Sequence, residues 1–204
     1  MKYEVTLKDL RQAGACYSGY NKVVRALQGK PFTGEDDSRM SYIHRAYKKP
    51  ISLLFVLESN GLDDAFWTLP CVPEIDRDAR FLAVWCARKA QHLMKDPRSI
   101  NALDVAERFA RGEATTSELD AACDAAWDAV RSAAGDAARS AARAAAWAAE
   151  RDAAVGAPRA AAWAAERDAG DSAGDSAEAS QEEMFRRMCQ GEAEWQTVKA
   201  LVTH

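Results

Sequence analysis

The 204-residue chain carries 27 basic and 31 acidic residues, a formal net charge of −4, and 48% of its residues are hydrophobic. This length and composition suffice for a buried core, and the lack of a basic excess argues against a nucleic-acid-binding protein. The five cysteines share no close spacing, which gives neither a disulfide framework nor a metal motif. No uncharged apolar run reaches the roughly 18 residues of a membrane span, and no apolar leader follows Met1. We therefore expect a cytoplasmic protein that has no membrane partner.

Most of the first half of the chain has the pattern of short helices. Apolar residues at helical spacing and stop signals predict helices over residues 7–13, 20–27, 40–47, 51–60, 63–69, 76–94 and 99–110. Thr6 is placed to cap the first of these helices, and residues 32–38 are polar enough to predict an exposed loop. The apolar run from Ile51 to Glu58 could also form a buried strand. Because its neighbours are helical, a buried helix that ends at Asn60 and Gly61 is favoured.

An eleven-residue string, Arg-Ala-Ala-Ala-Trp-Ala-Ala-Glu-Arg-Asp-Ala, occurs twice in the second half of the chain. The copies span residues 143–153 and 159–169, so that they start sixteen residues apart. Around them, residues 119–179 are close to half alanine, the residue with the strongest helix propensity. A repeated string in such a segment predicts helical units that stack on one another.

Capping signals and helix breakers divide this second half. A capping box at Thr115 and Glu118 opens the alanine-rich segment, and residues 156–158 (Gly-Ala-Pro) predict a break between helices. A second box at Ser180 and Glu183 predicts the start of a final helix. The predicted segments are an N-terminal helical domain (1–114), an alanine-rich helical repeat segment (115–180) and a C-terminal amphipathic helix that packs back on the core (181–204). The predicted fold is all-α, an irregular antiparallel helical bundle or helical repeat with an Ala/Trp/Arg-rich C-terminal segment.

Each copy of the string brackets its tryptophan with arginines four residues before and four residues after. The residues concerned are Arg143, Trp147, Arg151, Arg159, Trp163 and Arg167. Because residues four apart share a helix face, each indole lies on a ridge with two guanidinium groups. Packing of the indoles between alanine-faced helices is favoured, and stacking on a ligand ring is the alternative. Trp127 and Trp147, if they lie on one straight helix, project about 200° apart and cannot share a binding stripe.

The sequence has no recognised catalytic or cofactor motif. H-E-x-x-H, G-x-S-x-G and Gly-rich phosphate-loop patterns are all missing, so neither a cofactor nor a metal is expected. The three histidines, His44, His92 and His204, have no ligand-type partners at metal spacing. Acids near Asp63 or Asp78 could still serve an unrecognised hydrolase, because acid–base sites can assemble from distant positions.

Four segments carry a resemblance to a known group of proteins. They span residues 62–67, 77–87, 96–98 and 106–115. The chain resembles, from about Leu7 to Trp195, phage, prophage and bacterial proteins that have an N-terminal helical domain and a tail of Ala-Trp-Ala-Ala-Arg units. Part of that group is similar to immunity proteins, whose helical repeats cover a toxin. The resemblance implies a toxin or a defence component as partner, and Arg80 and Arg98, which match its motifs, become candidate binding residues.

The favoured function is therefore a non-enzymatic helical binding protein that neutralises a protein partner, as an immunity protein or a phage counter-defence inhibitor. The alternative is a small-molecule sponge for nucleotide signals, with Trp147 and Trp163 in the pocket wall. A hydrolase is the second alternative. An alanine-rich face with embedded tryptophan that finds no cover within the chain would also favour a homo-oligomer.

Overall fold

The computed structural model describes residues 3–150 and 153–197, and the predicted all-α fold is confirmed. The α-helices are α1 (Leu7–Gln12), α2 (Tyr17–Leu27), α3 (Gly34–Ser38), α4 (Leu53–Asn60), α5 (Leu62–Trp67), α6 (Asp76–Lys89), α7 (Pro97–Arg111), α8 (Thr116–Ser132), α9 (Asp136–Ala149), α10 (Ala153–Ala169), α11 (Asp171–Gln190) and α12 (Glu194–Thr197). Short 3₁₀ turns lie at Leu69–Cys71, Pro73–Ile75 and Gln91–Leu93, and two short strands, β1 (Glu4–Val5) and β2 (Ile51–Ser52), complete the elements.

The chain separates into two compact units, Met1–Pro73 and Glu74–His204. The first unit contains β1, β2 and α1–α5, and the second contains α6–α12. The segment boundaries predicted at residues 114 and 180 both fall inside the second unit.

The first unit is built around a two-stranded antiparallel sheet and the helices that follow each strand. Glu4 pairs with Ser52 and Val5 with Ile51. The predicted cap at Thr6 is confirmed, because its hydroxyl accepts a hydrogen bond from the backbone N–H of Asp9 at 3.2 Å. The predicted helix over residues 51–60 is also present as α4. Its first two predicted residues form β2 instead, and the Ser52 hydroxyl caps the helix.

The predicted helix over residues 40–47 is wrong, since this segment has no helical turn. The fully buried side chain of Asn21 on α2 accounts for the difference. Its amide nitrogen donates to the carbonyl of Ser41 at 3.0 Å, and its amide oxygen accepts from the N–H of Ile43 at 2.8 Å. Tyr42 donates its hydroxyl to the carbonyl of Ala15 at 2.6 Å. These long-range bonds hold the backbone in an irregular, non-helical conformation and replace the local bonds that a helix would need.

The predicted loop over residues 32–38 contains α3 instead, which depends on a buried ion pair. Asp36, 1% exposed, accepts two hydrogen bonds from the Arg25 guanidinium, at 2.6 and 2.9 Å. It also accepts from the backbone N–H of Thr33 at 3.2 Å, which closes a capping box. The hydrogen bonds from Arg25, followed by those from Thr33, lower the pKa of Asp36 to about 2.

Replacing Asp36 with asparagine is expected to lower the thermal stability of the first unit at neutral pH and to abolish a pH-dependent part of it. A carboxyl whose pKa is depressed in the folded state stabilises that state above its unfolded pKa. Its contribution is lost as the pH falls from about 4 to about 2. Melting temperatures of wild type and Asp36→Asn, followed by circular dichroism, should therefore converge over that range. Glu35→Gln, which alters an exposed carboxylate on the same helix, should show no such convergence.

The second unit is a bundle in which α9 occupies the centre. α9 packs against α6, α7, α8 and α10, while α10 packs in turn against α6 and α11. Residues 140–149 of α9 are buried at every position except Arg143 and Trp147, which are both half-buried. Alanine methyl groups make up most of this core, and their small size lets the helix backbones approach closely.

The helix boundaries of the second unit agree with the sequence at its first capping box and differ from the prediction at other positions. The box at Thr115 and Glu118 is present and opens α8. α6, predicted to reach residue 94, ends at Lys89 and is followed by a 3₁₀ turn at Gln91–Leu93. The chain also turns at Gly135, whose φ of +87° suits glycine, so that α8 and α9 are separate helices.

The predicted break at residues 156–158 is wrong, since α10 continues from Ala153 to Ala169 with Pro158 inside it. Proline has no backbone N–H, so the carbonyl four residues before it loses a hydrogen bond. Because that carbonyl belongs to the first turn of α10, the rest of the helix keeps its hydrogen bonds. The predicted helix start at Ser180 is also wrong, because α11 begins at Asp171 after Gly170 and runs through to Gln190. Gly174 is buried against Glu166, and a Cβ at that position would lie 3.1 Å from the Glu166 Cβ. Packing against α10 thus sustains a first turn whose own residues have low helix propensity.

Candidate functional site: the outer face of α10

The two identical eleven-residue strings place their tryptophans in different environments. Trp147, on α9, is half-buried and lies edge-on to the Trp127 ring of α8, with 5.6 Å between ring centroids. A Cβ placed on Gly156 would come within 2.6 Å of the Trp147 Cγ, so the indole packs directly on that backbone. The Trp127 indole N–H donates to the Glu150 carboxylate at 2.8 Å. The first copy therefore supports the predicted packing of tryptophan between helices.

The predicted separation of Trp127 and Trp147 is wrong. It assumed one straight helix, whereas the turn at Gly135 places the two residues on packed neighbouring helices. Their rings are in contact, and they form part of the bundle interior between α8 and α9.

Trp163 of the second copy lies on the surface of α10. Its side chain is 36% exposed, and the guanidinium carbons of Arg159 and Arg167 lie 5.1 and 5.7 Å from the centroid of its ring. Arg167 also donates to the Trp163 carbonyl at 3.3 Å. Both ring distances are typical of cation–π contacts.

One more residue extends this surface by a helical turn. Val155 is 37% exposed and lies eight residues before Trp163, so that Val155, Arg159, Trp163 and Arg167 follow one face of α10 at intervals of four. We refer to these four residues as the α10 ridge. Val155 was not among the predicted residues, although the same four-residue spacing, carried one step back from Arg159, leads to it.

The remaining candidates from the repeat do not join the ridge. Arg143 is half-buried on α9, in the middle of a buried alanine run, and Trp147 packs as described above. Arg151 lies outside the described residues. Of the six predicted ridge residues, the structure brings Arg159, Trp163 and Arg167 together on one exposed face.

Arg80 lies inside the second unit, where it holds the end of α9. The residue is 8% exposed, and its guanidinium donates to the carbonyls of Ala148 and Glu150 at 3.1 and 2.7 Å. It also lies 5.1 Å from the centroid of the Phe109 ring. The carbonyls at a helix C-terminus lack intrahelical donors, and Arg80 supplies them.

Arg98 is held at the start of α7 by the capping residue of that helix. Its guanidinium donates to both carboxylate oxygens of Asp96, with the shortest distance 2.7 Å, and to the Ser132 hydroxyl at 3.1 Å. The Arg98 side chain, with the Arg98 backbone N–H as a second donor, lowers the pKa of Asp96 to about 2. A cleft of about 320 Å³ lies beside this group and is lined by Asp96, Ser132 and several alanines.

The three cysteines of the second unit have thiols whose pKa is raised by burial. Burial raises the pKa of Cys123 to about 11 and that of Cys189 to about 12, and burial also raises the pKa of Cys86. These thiols are therefore protonated near neutral pH. Among residues 3–150 and 153–197, no three His, Cys, Asp or Glu side chains are grouped to hold a metal ion.

The two acids proposed for hydrolysis have unlike surroundings. Asp63 is exposed in the first turn of α5 in the first unit. Asp78 is buried in α6 of the second unit, where it accepts a hydrogen bond from the Gln196 amide at 2.5 Å.

Comparison with known proteins adds no assignment. No protein-family model matches the chain, and neither a curated protein nor a solved structure matches it. Within the described ranges, every helix is too short or too polar to cross a membrane. The resemblance to immunity proteins therefore stays a prediction.

Proposed function

We propose that the protein is a non-enzymatic helical binding protein that neutralises a protein partner, as an immunity protein or a counter-defence inhibitor does. We further propose that it docks this partner through the α10 ridge. One observation carries the proposal: the same eleven-residue string packs Trp147 between helices but leaves Trp163 on the surface between two arginines.

The composition of the ridge supports a protein interface. Tryptophan and arginine are the side chains most enriched among residues that dominate binding energy at such interfaces. Two of the four exposed large apolar side chains of the described residues, Val155 and Trp163, lie on this ridge. The matching partner surface would offer an apolar recess for the indole and carboxylates for Arg159 and Arg167.

A nucleotide-binding sponge remains the second candidate, because an indole flanked by guanidinium groups could stack a base and hold its phosphates. The shape of the ridge favours the protein partner. Small-ligand sites are concave and bury most of the ligand surface, whereas the ridge is the exposed face of one helix.

Replacing Trp163 with alanine is expected to weaken partner binding by about 30-fold, or about 2 kcal/mol, because the central aromatic anchor is lost. Wild-type and Trp163→Ala baits would be compared in the same host lysate by quantitative mass spectrometry. A protein retained by the wild-type bait would then be purified, and its affinity for each bait would be measured by calorimetry.

Arg139→Ala serves as the matched control, because it removes an exposed arginine of the same unit that pairs locally with Asp136. This control should change the affinity by less than about threefold. Equal affinity for wild type and Trp163→Ala would contradict the docking surface. If this chain binds the captured protein but does not inhibit its activity, the neutralising function would be contradicted. If the wild-type protein sediments as an oligomer and Trp163→Ala sediments as a monomer, the ridge would be assigned to self-association.

A further inference from the structure

The second unit contains a cleft with a chemistry that the α10 ridge does not share. Its volume is about 230 Å³, and it lies between the end of α6, the 3₁₀ turn that follows, α10 and α11. The polar and aromatic side chains that line it are Trp85, Lys89, His92, Ser176, Ser180 and Gln181. The rest of the wall is Leu93 and alanine methyl groups, which are too short to fill the space between the helices.

Two side chains of α6, the Trp85 indole and the Lys89 ammonium, give the cleft an aromatic wall and a cation. Trp85 and Lys89 lie one turn apart on α6, and the Lys89 ammonium lies 4.7 Å from the centroid of the Trp85 ring. Lys89 forms no ion pair with any residue of the described ranges. A counter-charge for it can therefore come from a ligand.

None of the described residues that line the cleft is a carboxylate, although acids are abundant around it. Asp171, Asp175 and Glu178 of α11 are exposed and do not line the cleft, whereas Ser176 and Ser180 of the same helix, which are also exposed, do line it. The His92 imidazole stands at the edge, with its Nε2 4.0 Å from a carboxylate oxygen of Asp168. The exposed ammonium of Lys89 and the two exposed serine hydroxyls, with no carboxylate among the lining residues, give a site that attracts a single negative charge.

A buried hydrogen bond and helix packing hold the floor of the cleft. Gln181 is 4% exposed, and its amide nitrogen donates to the Pro158 carbonyl at 2.9 Å, which ties α11 to α10 beneath the opening. α10 in turn packs against α6. Because these helices are already packed together, binding does not have to order the backbone that forms the floor.

From this arrangement we infer that the cleft binds a small aromatic carboxylate. A volume of about 230 Å³ equals that of about eight water molecules, which suits one ring and a short acidic arm. The ring lies against Trp85 and the alanine methyl groups, and the carboxylate accepts hydrogen bonds from Lys89 and the serine hydroxyls. A single ammonium matches a carboxylate better than a phosphate dianion, for which proteins gather arginines or backbone amides.

Calorimetric titration of the full chain with phenylacetate tests the inference. Wild type should show saturable binding, and phenethyl alcohol, the neutral analogue, should bind about tenfold more weakly or not at all. Lys89→Met keeps the apolar stem and removes the charge, so it should weaken phenylacetate binding by about tenfold or more. Lys95→Met removes an exposed charge of the same unit outside this cleft and should leave the affinity within about twofold.

Ala177→Leu provides a second variant that does not depend on charge, because it fills the cleft and should abolish binding. Circular dichroism of each variant would establish that the helices are retained. Equal binding of acid and alcohol, equal losses in Lys89→Met and Lys95→Met, or no saturable heat with millimolar phenylacetate would each overturn the inference. Retained binding in a folded Ala177→Leu protein would place any phenylacetate site elsewhere and would overturn it as well.

Discussion

Replacing Arg80 with methionine is expected to destabilise the second unit by about 3–5 kcal/mol, the largest effect of any single change considered for this chain. Methionine retains much of the apolar stem but none of the donors. The carbonyls of Ala148 and Glu150 would lose their hydrogen bonds from a charged group in a position that is 8% exposed. Hydrogen bonds to charged groups contribute about 1.5–3 kcal/mol each, and the Phe109 ring would also lose its cation.

Urea denaturation followed by tryptophan fluorescence measures this effect, because five of the six tryptophans belong to the second unit. Arg80→Lys keeps the charge and one donor direction, so it should recover part of the lost stability. Arg139→Met, at an exposed site with a local ion pair, should change the unfolding free energy by less than about 0.5 kcal/mol. An Arg80→Met protein as stable as wild type would mean that water satisfies the end of α9 equally well.

Local signals in the sequence predicted those helix ends that side chains fix directly. Thr6 and Thr115 each accept a hydrogen bond from the third residue of the helix that follows, and both were predicted from the residue types alone. The stop at Asn60 and Gly61 is of the same kind, since Gly61 adopts a φ of +92°. In all three cases the decisive interaction lies within four residues of the helix end.

Boundaries that depend on distant residues could not be predicted in this way. The segment over residues 40–47 has helical spacing, but hydrogen bonds from Asn21, about twenty residues earlier, hold it in a non-helical conformation. Pro158 and Ser180 carry the signals of a break and of a start, yet α10 and α11 pass through them. Packing of α10 and α11 on each other and on α6 outweighs these local preferences.

The candidate site, too, could be predicted from the sequence only where it depends on neighbouring residues of one helix. The sequence predicted that Trp163 lies on a ridge with Arg159 and Arg167, because that follows from spacing on one helix. It predicted packing between helices for both tryptophans and could not predict that Trp163, within an identical string, lies on the surface while Trp147 packs against Trp127. That difference depends on Gly156, on which Trp147 packs. The equivalent position for the second copy, sixteen residues later, is Ser172.

Gly156 is accordingly the second position where a small change should have a large effect. Gly156→Val is expected to lower the unfolding free energy of the second unit by about 3 kcal/mol, and Gly156→Ala by about 2 kcal/mol. A Cβ at this position would lie 2.6 and 2.7 Å from the Cγ and Cε3 atoms of Trp147, and an indole held against Trp127 has little room to move. Overpacking therefore outweighs the roughly 1 kcal/mol that alanine gains over glycine inside a helix.

The double variant Gly156→Ala with Trp147→Leu tests whether overpacking against the indole causes the loss of unfolding free energy in Gly156→Ala. If contact between the new methyl group and the indole is responsible, Gly156→Ala should cost less in the Trp147→Leu background than in wild type, with a coupling energy of about 1 kcal/mol or more. Gly34→Ala is the matched control, because a Cβ there meets no atom within 4 Å, and it should leave stability unchanged or slightly raised. Urea denaturation followed by circular dichroism measures wild type and each of these variants. Equal costs of Gly156→Ala in both backgrounds would show that Trp147 does not rest on this glycine, and the explanation for the different positions of the two tryptophans would fail with it.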